Sequence, residues 1–390
     1  MYETQKEKME QAVRYLIKEN IDTWLIYTSE GSDPCLPLVT GVKTVGPGAF
    51  LFRKSGEKIA ITSSIDAQDV RESKLFDQVL TYQNGLAEEL VPLIEKWKPL
   101  TIAVNKSKNE HLADGLTAGR FMWLKRTLSE VFEGTYLDAE PFLNKLRSIK
   151  TEAEIEKIKI AIDITHDIYE SVFKEIQAGM TEKEMGQLFV EALEERSLVN
   201  GIDRTLSMPI VMKDNIAHRG PSDRVVEKGE LVIFDFSVDC DGYVSDIART
   251  VYFLKDNETQ APEPIQQTFD TIHEAITLAA ERIKPGIKGY EVDQAAREHL
   301  LTNGYPEIEH ATGHQIGQDV HDGGALLGPK WKRYGESPYE LLEKGNVFTI
   351  EPTVFLREKG IHFIVEENVV ITNEGITYLS KRQDELILID

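Results

Sequence analysis

The sequence predicts an α+β protein in which a smaller α/β domain precedes a larger domain built from a duplicated unit. The chain has 390 residues, and a single hydrophobic core stops growing near about 250–300 residues. Over residues 1–149, short apolar runs alternate with helical patterns, which is typical of a sheet covered by helices. Over residues 150–390, one sequence pattern occurs twice in the same order. The domains are therefore predicted at 1–149 and 150–390.

The amino-terminal domain shows both the helical and the strand periodicity. Its predicted helices are Lys6–Glu19, Leu86–Trp97 and Leu116–Phe132, where apolar residues recur at helical spacing. Its predicted strands are four short apolar runs: Thr23–Tyr27, Ala49–Phe52, Lys58–Thr62 and Leu100–Val104. His111 stands alone in a polar stretch and is expected at the surface, so this domain offers no recognisable catalytic group.

The second domain is predicted to open with a helix and to contain a repeat. Thr151 and Glu154 form a capping-box pattern before a long run of helically spaced isoleucines. Residues 176–185 (IQAGMTEKEM) and 283–292 (IKPGIKGYEV) share Ile, Gly, Glu and two apolar positions at an offset of 107. Two further pairs of similar segments follow in the same order, and together the three pairs predict a duplicated α+β unit.

The second pair of similar segments places two carboxylates at equivalent positions. Lys228-Gly229-Glu230 leads an apolar strand ending at Asp235, and Lys344-Gly345-Asn346 leads one ending at Glu351, at an offset of 116. The third pair of similar segments is residues 217–220 (AHRG) and 320–323 (VHDG). Because similar halves packed about a pseudo-twofold axis bring equivalent strands together, Asp235 and Glu351 are expected to meet near that axis.

Composition excludes several classes of partner. The formal net charge of −22 provides no basic field for nucleic acid or anionic membranes. No run of about 18 apolar residues is present that would span a membrane. Cys35 and Cys240 are the two cysteines, too few for a disulfide framework, and Cys240 is interpreted as a small residue near a turn. A cytoplasmic protein is expected.

The stretch Val232–Thr250 is predicted to form a hairpin that carries two aspartates. Asp235 follows an apolar run, Asp241-Gly242 has the residues of a tight turn, and Asp246 lies on the returning strand. Carboxylates brought together on paired strands repel each other unless a proton or a cation lies between them. The alternative is that one aspartate caps a strand and the other solvates a turn, and the metal interpretation is favoured.

Three further residues complete a candidate metal site. His314 lies in a loop with glycines on both sides, whereas Glu351 and Glu366 adjoin strand-forming runs. Together with Asp235 and Asp246 they make four carboxylates and one imidazole. This hard, oxygen-rich set suits two divalent ions sharing carboxylates, with Mn²⁺ expected first and Co²⁺, Zn²⁺ or Fe²⁺ as alternatives. Two such ions can activate a water for attack on a carbonyl.

These motifs resemble those of the pita-bread metallopeptidases, in the aminopeptidase P, prolidase and creatinase branch. The matching segments are FDFSVDCDGYVSDIART, HATGHQIGQDVHDGG, FTIEP and EENVVIT. The resemblance implies a duplicated pita-bread fold at 150–390, preceded by an α/β creatinase-type domain at 1–149. It also implies a homodimer, in which the amino-terminal domain serves dimerisation and forms a wall of the substrate site.

The resemblance implies a role for each predicted ligand. Asp235 would hold one metal, Asp246 and Glu366 would bridge the pair, and His314 and Glu351 would hold the second metal. Glu351 would also transfer protons as a catalytic residue.

The resemblance further implies catalytic and substrate-binding histidines. His218 and His321 would contact the scissile amide, and His310 would line the substrate pocket. Ile364 occupies the position where this branch usually carries Arg, and His362 lies two residues before it on the same strand face. His362 is therefore expected to contribute to the pocket as well. The loop also reads Gly-His-Gln at His314 instead of the commoner Gly-His-Gly.

The expected function is hydrolysis, by a metal-bridging hydroxide, of the bond after the first residue of Xaa-Pro peptides or dipeptides. Alternatives are a metal-dependent hydrolase or lyase of a small non-peptide, a creatinase-like amidinohydrolase without metal, and a binding protein without activity. The complete ligand set disfavours the last two. The sequence leaves the metal, the substrate length and the effect of Ile364 open.

Overall fold

The computed structural model describes residues 2–213 and 219–390. The chain divides into two compact units, the first ending at Arg147 and the second beginning at Ser148. In the described residues, none of the helices combines the length and the apolar character needed to cross a membrane.

The first unit is a six-stranded mixed sheet with helices on its faces. Its helices are α1 Glu3–Lys18, α2 Leu36–Val39, α3 Ala67–Ser73, α4 Ala87–Trp97, α5 Ala118–Thr127 and α6 Glu140–Ser148. Its strands are β1 Thr23–Ser29, β2 Pro47–Arg53, β3 Lys58–Thr62, β4 Gln78–Thr81, β5 Thr101–Val104 and β6 Thr135–Asp138. The order is β4-β3-β2-β1-β5-β6. Adjacent residues Trp24 and Leu25 are both fully buried, in different core clusters, because strand side chains alternate between faces.

The four strands predicted in this unit are confirmed, with small shifts at their ends. The sequence did not predict β4 and β6, whose residues are half-buried or exposed and therefore lack an apolar run. The predicted helix Leu116–Phe132 is shorter, because Thr117 caps it at the start and the chain leaves the helix after Thr127.

The second unit combines two helix pairs with short antiparallel sheets. Its helices are α7 Glu152–Val172, α8 Glu182–Glu195, α9 Glu263–Arg282 and α10 Gly289–Thr302. Its strands are β7 Val199–Asn200, β8 Ile210–Met212, β9 Leu231–Phe236, β10 Val238–Cys240, β11 Tyr243–Val244, β12 Ile247–Phe253, β13 Val347–Ile350, β14 Thr353–Leu356, β15 Ile361–Ile364, β16 Glu367–Ile371, β17 Ile376–Tyr378 and β18 Ile387–Ile389. The predicted capping box of Thr151 and Glu154 opens α7.

The predicted duplication is confirmed. Helices α7 and α8 correspond to α9 and α10, and an isolated bridge precedes the second helix of each pair at equivalent positions: Thr181 with Val225 and Lys288 with Leu341. Gly229 and Gly345 precede β9 and β13, and both have φ of 90°. One core cluster draws mainly on α7, α8, β9 and β12, and the other on α9, α10 and strands β13 to β16.

The two halves meet through strands β12 and β16. Glu366 N donates to Ala248 O at 3.1 Å. The side chain of Asn368 donates to Asp246 O at 2.6 Å. The predicted acidic residues lie around this junction, so the fold brings strand ends from both repeats to one place.

Candidate metal centre

The hairpin that carries Asp235 and Asp246 forms as predicted. Asp235 on β9 pairs with Ala248 on β12, and β10 and β11 continue in the same register. The turn residues Asp241 and Gly242 have φ of 54° and 79°, as a two-residue type I′ turn requires. In this register Asp235 and Asp246 are diagonal neighbours on one face of the hairpin.

Helix α7 fixes the hairpin from its other side. The Tyr169 hydroxyl lies 2.7 Å from Ile247 O and 3.1 Å from Phe234 O, so it contacts both strands next to the two aspartates. The hydroxyls of Thr165 and Ser245 lie 2.7 Å apart. The capped helix therefore sets the position of both carboxylates through the backbone.

His314 is held against β13 by backbone pairing. Thr349 N donates to His314 O at 2.9 Å, and Glu351 N donates to Thr312 O at 2.7 Å. A side chain at Gly313 would overlap Thr349 O, so only glycine allows this close approach. The pairing brings His314 Nε2 within 3.4 Å of a Glu351 carboxylate oxygen.

Predicted ligands from both repeats converge. Candidate ligand atoms of Asp246, His314 and Glu366 all lie within 4.8 Å of one another, and His314 Nε2 lies 3.5 Å from Asp246 Oδ2. Glu366 is 2% exposed, and its Oε1 atom has no hydrogen-bond partner. A buried carboxylate oxygen without a donor is costly, and a bound cation would satisfy it.

The electrostatics of the cluster also fit a cation. Burial raises the pKa of Asp246, Glu351 and Glu366 well above ordinary values, and the negative charge of Asp235 raises each pKa further. Burial lowers the pKa of His314 to about 3, with a contribution from His321. The imidazole is therefore neutral, the form that binds metal. The charge of Arg249 lowers the pKa of Glu366, but burial and the neighbouring carboxylates outweigh it, so the carboxylates still repel one another and a bound cation would relieve this repulsion.

Glu366 and Glu367 point to opposite sides, as strand alternation predicts. The Glu367 carboxylate accepts from Ser380 Oγ and Gln383 N. Arg249 lies 3.5 Å from Glu367 and donates to Glu366 O at 2.6 Å. Sequence reasoning missed Arg249, although an arginine within the apolar run of β12 was a signal, because such a group requires buried acceptors.

The predicted catalytic and substrate-binding histidines differ from one another in their surroundings. His321 is exposed, and its ring centroid lies 4.3 Å from that of His314. His310 Nε2 lies 2.8 Å from Thr353 Oγ1. His218 lies outside the described residues.

The assignment of His362 to the substrate pocket receives no support from its packing. The side chain is 3% exposed, and its Nε2 atom lies 3.0 Å from Leu231 O, four residues before Asp235 on β9. This bond is made at the end of the strand remote from the acidic cluster. The sequence spacing of His362 and Ile364 predicts that both lie on one strand face, but it does not predict that His362 is buried against β9.

Glu182 was also missed by sequence reasoning. Its carboxylate accepts from Lys213 N at 3.1 Å, from two Arg219 nitrogens at 2.6 Å each, and from Ser222 N at 2.9 Å. Burial alone would raise the pKa of Glu182, but these hydrogen bonds lower it to about 2. One carboxylate thus fixes the chain on both sides of residues 214–218.

Known proteins resemble this chain in sequence along most of its length. Residues 156–373 match the profile of metallopeptidase family M24. A Xaa-Pro dipeptidase of Pyrococcus horikoshii is 26% identical over 357 residues, which cover 90% of each chain. An uncharacterized peptidase of Staphylococcus aureus is 28% identical over 312 residues, covering 79% of this chain and 80% of that protein.

Solved structures match the whole fold. A Xaa-Pro dipeptidase from Bacillus anthracis superimposes with a TM-score of 0.77 at 23% identity, covering 99% of this chain and 100% of that one. An X-Pro aminopeptidase from Thermotoga maritima gives a TM-score of 0.75 at 24% identity, covering 98% and 99%. These likenesses support the pita-bread fold and the preceding amino-terminal unit.

Proposed function

Because this chain belongs to metallopeptidase family M24, we propose that it hydrolyses the bond after the first residue of Xaa-Pro peptides with two divalent ions. The observation that carries the proposal is the buried convergence of Asp246, His314 and Glu366. Glu351 reaches the same imidazole at 3.4 Å, and the charge of Asp235 acts on all three neighbouring carboxylates.

Four carboxylates and one imidazole are more ligands than a single ion needs, so we infer a pair of ions. Asp235 would hold one ion, Asp246 and Glu366 would bridge both, and His314 and Glu351 would hold the other. Oxygen ligands with one imidazole suit Mn²⁺, and Co²⁺, Zn²⁺ and Fe²⁺ remain alternatives. When bound, the ions would lower the pKa of a water so that it can attack a carbonyl at neutral pH.

The protein side chains would move the protons and stabilise the reacting amide. Glu351 is the proposed general base and acid, because its half-buried carboxylate lies 3.4 Å from His314 Nε2 and the low-polarity surroundings raise its pKa. His321 is exposed beside His314 and can donate a hydrogen bond to the oxyanion that forms. We also assign His218 to the scissile amide and His310 to the substrate pocket.

A peptide with proline in the second position is the proposed substrate. The support is the 26% identity to the Pyrococcus horikoshii protein named Xaa-Pro dipeptidase. The alternative is a small non-peptide that is hydrolysed or cleaved by a lyase reaction. One observation favours it: Ile364 stands where the resembling branch carries Arg, and its backbone is fixed by hydrogen bonds in both directions with the Thr250 hydroxyl.

For the amino-terminal domain, residues 1–149, we propose a role in a homodimer and in walling the substrate site. This proposal rests on the resemblance and on the match of solved structures over 98% or more of this chain. Sedimentation equilibrium of the purified protein would test it: a two-chain mass is expected, and a single-chain mass would contradict it.

A substrate screen tests the proposed function. The Mn²⁺-loaded protein would be assayed with Ala-Pro, Ala-Pro-Ala, Ala-Ala and creatine. We expect cleavage before proline at a rate at least about a hundredfold above that for Ala-Ala, a discrimination typical of shaped pockets. Equal rates for Ala-Pro and Ala-Ala would reject the specificity, whereas no peptide cleavage would favour the small-molecule alternative.

A further inference from the structure

A buried ion pair lies behind the two neighbouring histidines of the candidate centre. Lys150 Nζ lies 3.0 Å from Asp322 Oδ2, and the two side chains are 1% and 3% exposed. The desolvation of two buried charges offsets most of their mutual attraction, so such a pair adds little net stability. Its position relative to the reactive side chains therefore becomes the informative feature.

The pair involves the two residues that directly follow the histidines: Asp322 is a member of the pair, and Gln315 contacts both of its members. Asp322 follows His321, and Gln315 follows His314. Asp322 N donates to Gln315 O at 2.9 Å, which closes the intervening loop and explains why the two imidazoles are 4.3 Å apart. Lys150 Nζ also lies 3.4 Å from Gln315 Oε1. One ammonium group thus contacts both ends of the loop.

The chain is closed tightly around this cluster. A side chain at Gly317 would overlap the Asp322 carboxylate, and one at Gly324, where φ is +75°, would overlap Ser148 Oγ. The Lys150 amide donates to Gly345 O at 2.9 Å in the turn before β13. The segment at Lys150 therefore joins the histidine loop to the strand that leads to Glu351.

Gln315 is where this chain departs from the commoner Gly-His-Gly sequence, and its side chain is built into the cluster. Its amide nitrogen donates to Ser148 Oγ at 3.0 Å and to Gly323 O at 3.2 Å. Its oxygen lies 3.4 Å from both Lys150 Nζ and Asn346 Nδ2. A glycine at this position would provide none of these contacts.

We propose that Lys150 is a positioning residue that holds the His321 imidazole beside His314 by binding both Gln315 and Asp322. The ring of His321 contacts that of His314, and Asp322, the next residue, closes the loop onto Gln315 O, so a shift of the loop backbone would move the His321 ring. Lys150 is buried and acts only through its neighbours. The assignment rests on the proposed peptidase function, because that function gives His321 its substrate contact.

The test compares Lys150→Met with the double variant Lys150→Met, Asp322→Asn, which leaves no unpaired buried carboxylate. Lys344→Met is the matched control, because Lys344 is an exposed lysine in the turn before β13. Each protein would be measured for bound metal, for kcat and KM with Ala-Pro, and for the His321 Cε1–H NMR signal. The NMR sample would carry Zn²⁺, since Mn²⁺ is paramagnetic, and the signal is assigned by its loss in His321→Ala.

We expect kcat to fall by about tenfold to a hundredfold in both Lys150 variants, as a displacement near 1 Å can cause. KM should change less than kcat, bound metal should remain at the parent level, and the His321 signal should shift. In a His321→Ala background, Lys150→Met should cause no further loss of kcat. The Lys344→Met control should match the parent in every measurement.

An unchanged His321 signal in the folded variants, or a further loss of kcat in the His321→Ala background, would overturn the assignment. If Lys150→Met does not fold, the double variant decides. Failure of the proposed function is distinguishable, because the unsubstituted protein would then cleave no Xaa-Pro bond while the NMR comparison would still report the position of His321.

Discussion

At the scale of single residues, the centre is a group of buried and half-buried carboxylates that repel one another. Glu366 Oε1 is buried without a hydrogen-bond partner, and burial together with neighbouring carboxylates raises the pKa of Asp246. The charge of Arg249 lowers the pKa of Glu366, but burial and three neighbouring carboxylates raise it by more. At Glu182, by contrast, the hydrogen bonds from Arg219 and its neighbours outweigh burial and lower the pKa to about 2.

Asp246→Asn should remove metal and activity together. The change eliminates a proposed bridging carboxylate, and because even outer partners of metal ligands cost about 10–100-fold when lost, activity should fall at least a hundredfold. Metal content by inductively coupled plasma spectrometry and the Ala-Pro rate would be measured. Asp241→Asn, at the exposed turn of the same hairpin, is the control and should behave as the parent.

Glu182→Gln should lower stability by about 2 kcal/mol at pH 7, because the buried Arg219 pair and several hydrogen bonds are lost. The pKa of Glu182 in the folded protein is about 2, below its ordinary value of 4.5. Its contribution is therefore present above pH 4.5 and is lost as the pH falls towards 2.

Urea unfolding of the parent and of Glu182→Gln between pH 7 and pH 4 measures this contribution. The difference in free energy of unfolding should shrink as the pH falls, whereas Glu191→Gln, at an exposed position of α8, should show no difference. A difference that grows towards acidic pH would contradict the assignment.

At the scale of elements, the hairpin was predictable and the loop pairing was not. The Asp241-Gly242 turn and the apolar runs on either side carry their own local signal, and the structure has the hairpin in that register. The pairing of the His314 segment with β13 has no such signal. It depends on residues about 35 positions apart and on a glycine whose reason is visible only across the contact.

Gly313→Ala should separate His314 from Glu351. The added methyl group would overlap Thr349 O, so the segment must move, with an expected destabilisation of about 1–3 kcal/mol and weaker metal binding. Thermal unfolding and isothermal titration with Mn²⁺ would measure both effects. Gly119→Ala in helix α5, where nothing lies within 4 Å of the new methyl group, should leave metal binding unchanged, and equal metal affinity in both variants would contradict the account.

At the scale of the whole molecule, the duplication explains why one centre draws on distant parts of the chain. The segments repeated at offsets 107 and 116 form equivalent helices, bridges and glycine turns in the structure. This part of the architecture could therefore be predicted from sequence alone. The burial of His362 could not, because its hydrogen bond joins β15 to β9 across 131 residues. The hydrogen bonds from Lys213, Arg219 and Ser222 to Glu182 could not be predicted either, because no sequence motif links these residues.

Metal removal should lower the thermal stability of the protein. Ions that bind only the folded state at about 100 times their dissociation constant add about 2.7 kcal/mol per site, equivalent to a shift of about 5–10 °C for a domain of this size. Calorimetry before and after chelation would show the shift and its reversal by Mn²⁺. Glu366→Gln should show a smaller shift, and an unaltered melting temperature in the parent would contradict the proposed centre.

We propose a two-ion peptidase centre to which both repeats contribute residues. Its most direct test is the rate of Ala-Pro hydrolysis by the metal-stripped protein during stepwise addition of Mn²⁺. We expect no hydrolysis without metal and a rate that rises to a plateau at two ions per chain. A full rate in the stripped protein, or a plateau reached at one ion per chain, would contradict it.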